Sequence, residues 1–480
     1  MRTQSKISFL LLFAALALFM VSCSKEGTTP DEPTVSTNNS LSSFSFSKAN
    51  NPKLTENCQA TFAFGNQYWI TVPEGVDLSS LVPTFAVDSK ATVKVGTTTI
   101  QSDGQPVDFT KTVTIAVTSE SGSTRNYMIL AKNGNTKIDN MVYSFMIEHE
   151  IPGVSVAISK DEETVYTGAY GFANKLTYER VTSDHLFRLA SMSKQHTAIA
   201  IMSLMDKGKL KLSDTVFGKD GLLYKAFGDN MSSSWKAITV EHLLSHTSGI
   251  FTEGFFGAGS AFSGKSLDAR INVHLSSALN GTPGVTYEYN NSNFAILGKI
   301  VEVVSGKPFM DYLKEDVYGP NDITGIDAAK NDDPIKGEVV HYSQNSVNPY
   351  DNNVEVGLAA GGVVATAPGL MQLMARIDYG TKVKDILKKE TLDIMYKAIN
   401  VVDTDGDPFN QYALGWRKNY KNHPTFEAWH GGTLAGVCPV WARTTDNVNG
   451  VILCNSRSYD KSIDSDMRYL LEDIQDVIRK

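Results

Sequence analysis

The segment Phe187-Arg188-Leu189-Ala190-Ser191-Met192-Ser193-Lys194 places a hydroxyl and an amine three residues apart. Residues at this spacing share one face of a helix, so the neutral amine of Lys194 can take the proton of Ser191 during attack on a carbonyl. The apolar residues 198–205 predict a buried helix that ends at Gly208. A serine at the start of such a helix lies where backbone N–H groups stabilise an oxyanion.

The serine-x-x-lysine pattern is weak evidence alone, because it recurs along the chain, at Ser22/Lys25, Ser45/Lys48, Ser191/Lys194 and Ser233/Lys236 among others. Ser22 falls in an apolar leader, Ser45 in a strand-rich segment and Ser233 in a polar serine run. Only Ser191 opens an apolar helix, so the context selects Ser191 as the predicted nucleophile.

Further segments of the sequence give the serine-x-x-lysine pattern at Ser191 a specific context. The first segment resembles the first motif of the serine β-lactamase and penicillin-binding D,D-peptidase family, and the class C β-lactamase-related hydrolases in particular. Tyr289-Asn290-Asn291 resembles its Y-x-N motif, and His430-Gly431-Gly432 resembles its third motif, K-T-G or H-x-G. Leu243-Leu244-Ser245-His246-Thr247-Ser248-Gly249 and the glycine turn Gly361-Gly362 also match in order. The resemblance covers almost all of residues 138–480.

The resemblance implies an α+β fold of the β-lactamase/transpeptidase type, in which helices flank an antiparallel sheet and form a helical subdomain. It implies a site with catalytic Ser191, Lys194, Tyr289 and His430, and with Asn291, Gly432 and Thr433 around the substrate and its oxyanion. Tyr289 relays protons if Lys194 and a protonated His430 stabilise its phenolate. Each residue also has a structural alternative, a packed tyrosine, a turn asparagine or a structural histidine, and His246 is interpreted as structural.

One departure from the family bears on the substrate. The hydroxyl inside the third motif, which helps to hold a substrate carboxylate, is replaced here by Gly431, and His430 stands where a lysine is common. Carboxylates favour charge-assisted donors, so the third motif weakens the case for a carboxylate beside the scissile bond. Esters, amides or D-amino-acid peptides become the favoured substrates.

The first residues predict export. Arg2 and Lys6 precede the apolar residues 7–21, and Ser22-Cys23 resembles the end of a bacterial lipobox. We therefore expect a signal peptide over 1–22, lipidation of Cys23 and a flexible tether over 23–40, which would hold the protein in the lipid bilayer. The alternative is plain secretion. Residues 24–27 resemble the signal that sends lipoproteins of the Bacteroides group to the outer face of the outer membrane.

Residues 41–133 carry short alternating apolar runs separated by turns, which predict a small all-β sandwich. This segment resembles the immunoglobulin-like modules at the start of many surface lipoproteins of Bacteroides-type bacteria. A stalk is its expected role, and glycan binding is the alternative. Cys438 and Cys454 flank a predicted hairpin, where they form either a disulfide or two buried thiols.

Several classes of function are disfavoured. The net charge of −8 has no basic stripe, so nucleic acid is not an expected partner. Residues 259–266 match the phosphate-loop pattern, but the preceding residues 252–258 are rich in Gly and Phe rather than strand-like, so no nucleotide is expected. There is no H-E-x-x-H motif, and we expect neither a metal nor another cofactor.

The sequence thus predicts a serine hydrolase that forms an acyl-enzyme at Ser191 on a small-molecule or peptide ester or amide. The alternative within this class is a D,D-carboxypeptidase or β-lactamase that acts on peptidoglycan-like substrates or β-lactams. The alternative of another class is a receptor that uses the same pocket for binding without catalysis.

Overall fold

The structure is a computed structural model that describes residues 35–251, 262–399, 411–420, 423–459 and 461–480. The predicted signal peptide, Cys23 and the start of the tether lie outside the described residues, as does the beginning of the phosphate-loop-like segment. Within the described ranges, no helix combines the length and the apolar character needed to cross a bilayer.

The N-terminal region is a β-sandwich built from the sheets β2-β1-β5 and β3-β4-β9-β8-β6-β7. Aromatic residues from both sheets, including Phe44, Phe46 and Tyr68, fill its core. This confirms the predicted N-terminal β-rich module, although the alternation of the sequence did not reveal that β4 and β9 run parallel. The strands are β1 (Ser43–Phe46), β2 (Cys58–Gln59), β3 (Thr61–Ala63), β4 (Gln67–Val72), β5 (Thr84–Ala86), β6 (Thr92–Val95), β7 (Thr98–Thr99), β8 (Val113–Thr118) and β9 (Thr124–Asn133).

The second region is organised by a large antiparallel sheet, which across the described ranges has eight strands in the order β12-β11-β10-β21-β20-β19-β18-β17. Shorter strands form the small sheets β13-β16-β14 and β15-β22. The strands are β10 (Gly153–Lys160), β11 (Glu163–Asn174), β12 (Glu179–Arg180), β13 (Phe187–Arg188), β14 (Ile326–Ala328), β15 (Tyr342–Ser343), β16 (Val363–Ala365), β17 (Gln411–Tyr412), β18 (Arg417–Tyr420), β19 (His423–Gly431), β20 (Val440–Thr444), β21 (Val448–Cys454) and β22 (Ser456–Arg457).

Helices cover both faces of this sheet, because successive side chains of a strand point to opposite faces. Val156 and Ile158 of β10 pack with the helices α1 and α12, whereas Ala157 joins the core around α2. The predicted α+β fold with a helix-flanked antiparallel sheet is therefore confirmed. The helices are α1 (Thr136–Glu148), α2 (Ser193–Asp206), α3 (Tyr224–Phe227), α4 (Ser233–Lys236), α5 (Val240–Leu244), α6 (Leu267–Leu275), α7 (Asn291–Ser305), α8 (Phe309–Tyr312), α9 (Leu358–Gly361), α10 (Ala367–Met374), α11 (Lys389–Met395) and α12 (Ile463–Arg479), with a π-helix at Leu313–Tyr318 and 3₁₀ turns at Leu78–Ser80, Ala190–Met192 and Gly319–Asn321.

The predicted nucleophile lies just before the buried helix rather than inside it. Ser191 occupies the middle of the 3₁₀ turn Ala190–Met192, and α2 begins at Ser193. Gly208 adopts φ +67° and donates its N–H to the Met205 carbonyl, so the helix ends where the sequence predicted. Ala190 also has positive φ, +48°, a conformation that costs free energy for a residue with a Cβ and that turns the chain sharply into Ser191.

Cys438 and Cys454 are buried free thiols, which decides between the two arrangements that the sequence left open. The thiol of Cys438 donates to the carboxylate of Asp464, and burial raises its pKa far above the usual range of a thiol.

The sandwich is joined to the second region by a shared core and a buried polar cluster. Trp69 of β4 packs on Tyr143 of α1 with ring centres 5.3 Å apart. Beside them lies Asp139 of α1, which is fully buried and accepts hydrogen bonds from Lys132 at 3.0 Å and from Tyr170 at 2.6 Å. An interface with a common core and a buried ion pair is typical of a fixed junction rather than of a hinged stalk.

We expect Asp139→Ala to lower the free energy of unfolding by about 3 kcal/mol or more, because it leaves the Lys132 ammonium buried without its counter-charge. Urea unfolding of the chain from residue 24 measures this loss. The control is Lys90→Ala, which removes the exposed Lys90–Glu120 pair in the same module and should cost less than about 1 kcal/mol. Equal costs for the two variants would contradict the fixed junction.

Candidate active site

Lys194 is the centre of the site, because its amine contacts three chain segments. The Nζ atom lies 3.1 Å from Ser191 Oγ, 2.8 Å from Asn291 Oδ1 and 2.8 Å from the carbonyl oxygen of Ala360. The two carbonyl-type oxygens can only accept, so they take two N–H groups of the amine. The remaining position on the nitrogen faces the Ser191 hydroxyl, and in a neutral amine that position holds the lone pair.

The protonation state of Lys194 follows from its surroundings. Burial lowers the pKa of Lys194 well below its usual value, and the positive charge of Arg417 lowers it further. Lys194 is fully buried. Removal of a charged amine from water disfavours the ammonium, so the environment favours the neutral form, which can act as a base.

Two further side chains fix the first turns of α2 against the glycine turn. Ser193 Oγ accepts the N–H of Val363 at 2.9 Å, and Thr197 Oγ1 donates to the carbonyl of Ala359 at 2.6 Å. Gly362 is required for this approach, since a Cβ there would lie 2.3 Å from the carbonyl oxygen of Val354. The late glycine turn thus positions Ala360, which accepts from Lys194.

The Y-x-N segment is held by the segment that follows α5. His246 Nδ1 accepts the backbone N–H of Asn290 at 3.1 Å and lies 3.2 Å from Nδ2 of Asn293. The His246 ring also packs on the Tyr289 ring, with centres 4.4 Å apart. Asn290 caps the N-terminus of α7 by accepting the N–H of Ser292. His246 is therefore placed to hold Tyr289 and Asn291 in position.

Tyr289 is a protonated phenol in this environment. Burial raises its pKa to about 12, while a hydrogen bond with Ser191 and the charge of Arg417 act in the opposite direction. The Nζ atom of Lys194 lies 4.8 Å from the centre of the Tyr289 ring. Tyr289 thus lies beside both Ser191 and Lys194.

His430 differs from the expectation, because it is neutral rather than protonated. Burial, followed by the charges of Arg417 and Lys194, lowers the pKa of His430 well below its usual value. Nδ1 donates to the Gly431 carbonyl at 2.6 Å, and Nε2 accepts from the Tyr412 hydroxyl at 3.3 Å. Both ring nitrogens are thus satisfied without a positive charge, and the cation beside Tyr289 is Arg417, whose guanidinium carbon lies 5.5 Å from the ring centre.

The third motif brings the end of β19 against the nucleophile turn. A Cβ on Gly432 would lie 2.3 Å from the carbonyl oxygen of Leu189, so only glycine allows this contact. The N–H of Gly432 donates to the Pro439 carbonyl at 3.0 Å and is therefore used within the fold. Thr433, the next residue, is exposed at the pocket wall, where its Oγ1 accepts from Arg457 at 3.3 Å.

The residues converge on a pocket of about 450 Å³. It brings together Ser191, Tyr289, Asn291, His430, Gly432 and Thr433 from the predicted set, with Lys194 buried directly behind Ser191. Sequence reasoning missed four lining residues, Arg417, Trp429, Asp464 and Arg468. Trp429 directly precedes the third motif, whereas Arg417 on β18 and Asp464 and Arg468 on α12 belong to no motif and reach the pocket only through the tertiary fold. The described residues contain no group of three or more His, Cys, Asp or Glu side chains placed to hold a metal ion.

Curated proteins include relatives of this chain. Protein flp of Staphylococcus aureus strain MRSA252 is 25% identical over 333 residues, which are 68% of this chain and 62% of that protein. The chain therefore spans less than two thirds of the length of these curated relatives. Penicillin-binding protein 4 of Amycolatopsis lactamdurans is 32% identical over 175 residues, 36% of this chain and 44% of that protein.

Solved structures share the fold. The D-amino acid amidase of Ochrobactrum anthropi SV3, complexed with L-phenylalanine amide, superposes with a TM-score of 0.58 at 20% identity over 71% of this chain and 99% of that one. A class C β-lactamase superposes with a TM-score of 0.56 at 18% identity over 70% and 94% of the chains.

Two family models match the chain. One is described as SGBP, N-terminal, and matches residues 65–130. The other is described as Beta-lactamase and matches residues 138–473, more than half of the chain. The chain belongs to the β-lactamase family of serine hydrolases and carries an SGBP N-terminal module before the hydrolase region.

Proposed function

We propose that the protein hydrolyses an ester or amide through an acyl-enzyme at Ser191. The observation that carries this proposal is the threefold contact of Lys194, which aims a buried amine with a lowered pKa at the Ser191 hydroxyl. An amine held in this way is a general base at neutral pH, whereas an exposed lysine is a cation.

In the proposed reaction Ser191 Oγ attacks the carbonyl carbon and its proton passes to Lys194. Tyr289, in contact with both residues, returns that proton to the leaving oxygen or nitrogen as the bond between the carbonyl carbon and the leaving atom breaks. The backbone N–H groups of Ser191 and Thr433 stabilise the oxyanion, and Asn291 orients Lys194 and the substrate carbonyl. Water then releases the acyl group. His430 is neutral in this reaction: it accepts a hydrogen bond from the Tyr412 hydroxyl and adds no positive charge to the site.

The second candidate is a substrate with a carboxylate, as in a D,D-carboxypeptidase or a β-lactamase. The observation that favours it is the pair of guanidinium groups that line the pocket, from Arg417 and Arg468, with Arg457 beside Thr433. Arginine is well suited to bind carboxylates. These arginines supply the positive charge that the third motif lacks. The sequence argument against a substrate carboxylate considered only the third motif and did not include them.

We further propose that residues 1–22 are a signal peptide, that 23–40 tether the protein to the membrane through lipidated Cys23, and that 41–133 and 138–480 are its two folded domains. The match to an SGBP N-terminal module supports a place in the cell envelope, at the surface of the outer membrane. The substrate is then a small molecule or peptide that reaches this surface.

We expect a fluorophosphonate to label the chain from residue 24 at one site, because the activated hydroxyl of Ser191 attacks phosphorus as it attacks a carbonyl. Intact-mass measurement should show one adduct in the wild type and none in Ser191→Ala. Ser233→Ala is the matched control, since Ser233 heads another serine-x-x-lysine pattern, and it should label normally. A wild type that stays unlabelled would support the receptor alternative.

The same label distinguishes the two substrate classes by competition. A short-chain p-nitrophenyl ester should slow the labelling if the protein is an esterase or amidase. Faster loss of labelling with penicillin G would favour the carboxylate-reading alternative.

We expect Lys194→Arg to slow labelling and ester turnover by about 10²–10⁴-fold, because arginine carries a permanent charge and cannot accept a proton. The rate of adduct formation measures this effect. Lys236→Arg is the matched control, because Lys236 belongs to the Ser233 pattern and its ammonium pairs with Asp229 at 2.8 Å. The labelling rate of this variant should stay within about twofold of the wild-type rate. A Lys194→Arg rate near that of the wild type would exclude Lys194 as the base.

A further inference from the structure

Arg417 brings a permanent positive charge into the site from outside the motifs. It is the first residue of β18 and pairs in register with Trp429 of β19. Its guanidinium carbon lies 5.5 Å from the ring centre of Tyr289 and 5.7 Å from that of Trp429, and it lines the same pocket as Ser191. An arginine side chain keeps its charge at every pH at which the protein is folded.

This charge acts on the two groups that exchange protons with Ser191. It lowers the pKa of Lys194 in addition to burial, and it opposes the effect of burial on the pKa of Tyr289. For the amine, a neighbouring cation favours the neutral form, and for the phenol it favours the phenolate. Both effects favour loss of a proton, from the Lys194 ammonium and from the Tyr289 phenol.

The other titratable groups around Lys194 do not supply such a charge. His246, after α5, and His430, on β19, have pKa values held well below the usual value by burial and are neutral. Burial raises the pKa of Tyr412 on β17 far above its usual value.

The remaining charges of the pocket wall come from α12 and β22. Asp464 pairs there with Arg457 at 2.6 Å, and the guanidinium carbon of Arg468 lies 5.1 Å from the ring centre of Trp429. Among the described groups, Arg417 is the cation whose charge lowers the pKa of both Lys194 and Tyr289.

We propose that Arg417 is a positioning residue whose fixed charge, supplied by β18, keeps Lys194 a neutral base and drives its proton onward to the leaving group. In the first step the Ser191 O–H bond breaks, the Oγ–carbon bond forms and Lys194 becomes an ammonium. In the second step the ammonium gives this proton through Tyr289 to the leaving atom, whose bond to carbon breaks. This chemical consequence rests on the proposed acyl transfer, but the proton affinity of Lys194 can be measured without turnover.

The experiment is an NMR titration of the full chain from residue 24 with lysines labelled at ¹³Cε, in which the Lys194 signal is assigned by its absence in Lys194→Arg. We expect Arg417→Met to raise the titration midpoint of Lys194 by about one pH unit, because a nearby unit charge is removed from a poorly solvated site. Arg417→Gln is a second uncharged variant should the methionine disturb folding. Arg417→Lys restores the charge and should keep the wild-type midpoint.

A matched control is Arg479→Met at the far end of α12, eleven residues and about 16 Å along the helix from Arg468. Its Lys194 midpoint should equal that of the wild type. A midpoint in Arg417→Met or Arg417→Gln that stays within about 0.3 pH unit of the wild type would overturn the proposal, as would equal shifts in the uncharged and lysine variants.

The rate of fluorophosphonate labelling gives the second readout. Labelling requires neutral Lys194, so it rises with pH through the midpoint of that amine. In Arg417→Met this rise should move to higher pH, with about tenfold slower labelling on the acidic limb and an unchanged plateau. A merely structural role would lower the rate equally at every pH and would contradict the proposal. If the midpoint shifts as expected while the wild type is never labelled, the proposed acyl transfer fails and the assignment of Arg417 stands.

Discussion

The site depends on the burial of one amine. Lys194 is surrounded by Ser191, Asn291 and the carbonyl of Ala360, which belong to three segments spread over 170 residues of the chain. A buried amine must find acceptors for its N–H groups, and each acceptor must arrive at a fixed distance. The positive φ of Ala190, the cap of α7 and the glycine turn before β16 each serve this requirement. The same burial that demands these partners also makes the amine a base.

The electrostatic design of the pocket differs from what its motifs suggest. His430 is neutral, since burial disfavours its charged form and the Gly431 carbonyl and Tyr412 satisfy both ring nitrogens. The positive charge comes from Arg417 on the neighbouring strand and from Arg468 on α12. Arg417 on β18 lies opposite Trp429, the residue before His430, so the neighbouring strand brings a cation beside the third motif without a change in the fold.

The N-terminal module packs directly onto the hydrolase region. Its strands share a hydrophobic core with α1, and the Lys132–Asp139 pair lies within that junction. Asp139 also accepts hydrogen bonds from Tyr166 and Tyr170 of β11, the strand next to β10 in the large sheet. The module and the hydrolase region are thereby coupled through buried polar contacts, which are costly to open because each group would lose its partner.

The family could be predicted from the sequence because five ordered segments resemble its motifs. The serine-lysine pair and the strand-rich N-terminal module could be predicted because they depend on local spacing. A serine and a lysine three residues apart before an apolar helix share one face whatever surrounds them, and alternating apolar residues predict strands. Only the tertiary structure decided which charges reach the site. Arg417, Trp429, Asp464 and Arg468 carry no motif, and the protonation states of Lys194 and His430 depend on burial, a property of the whole fold. The parallel pairing of β4 with β9 and the free thiols of Cys438 and Cys454 were decided in the same way, since strand order and distance across a sheet follow from how distant segments pack.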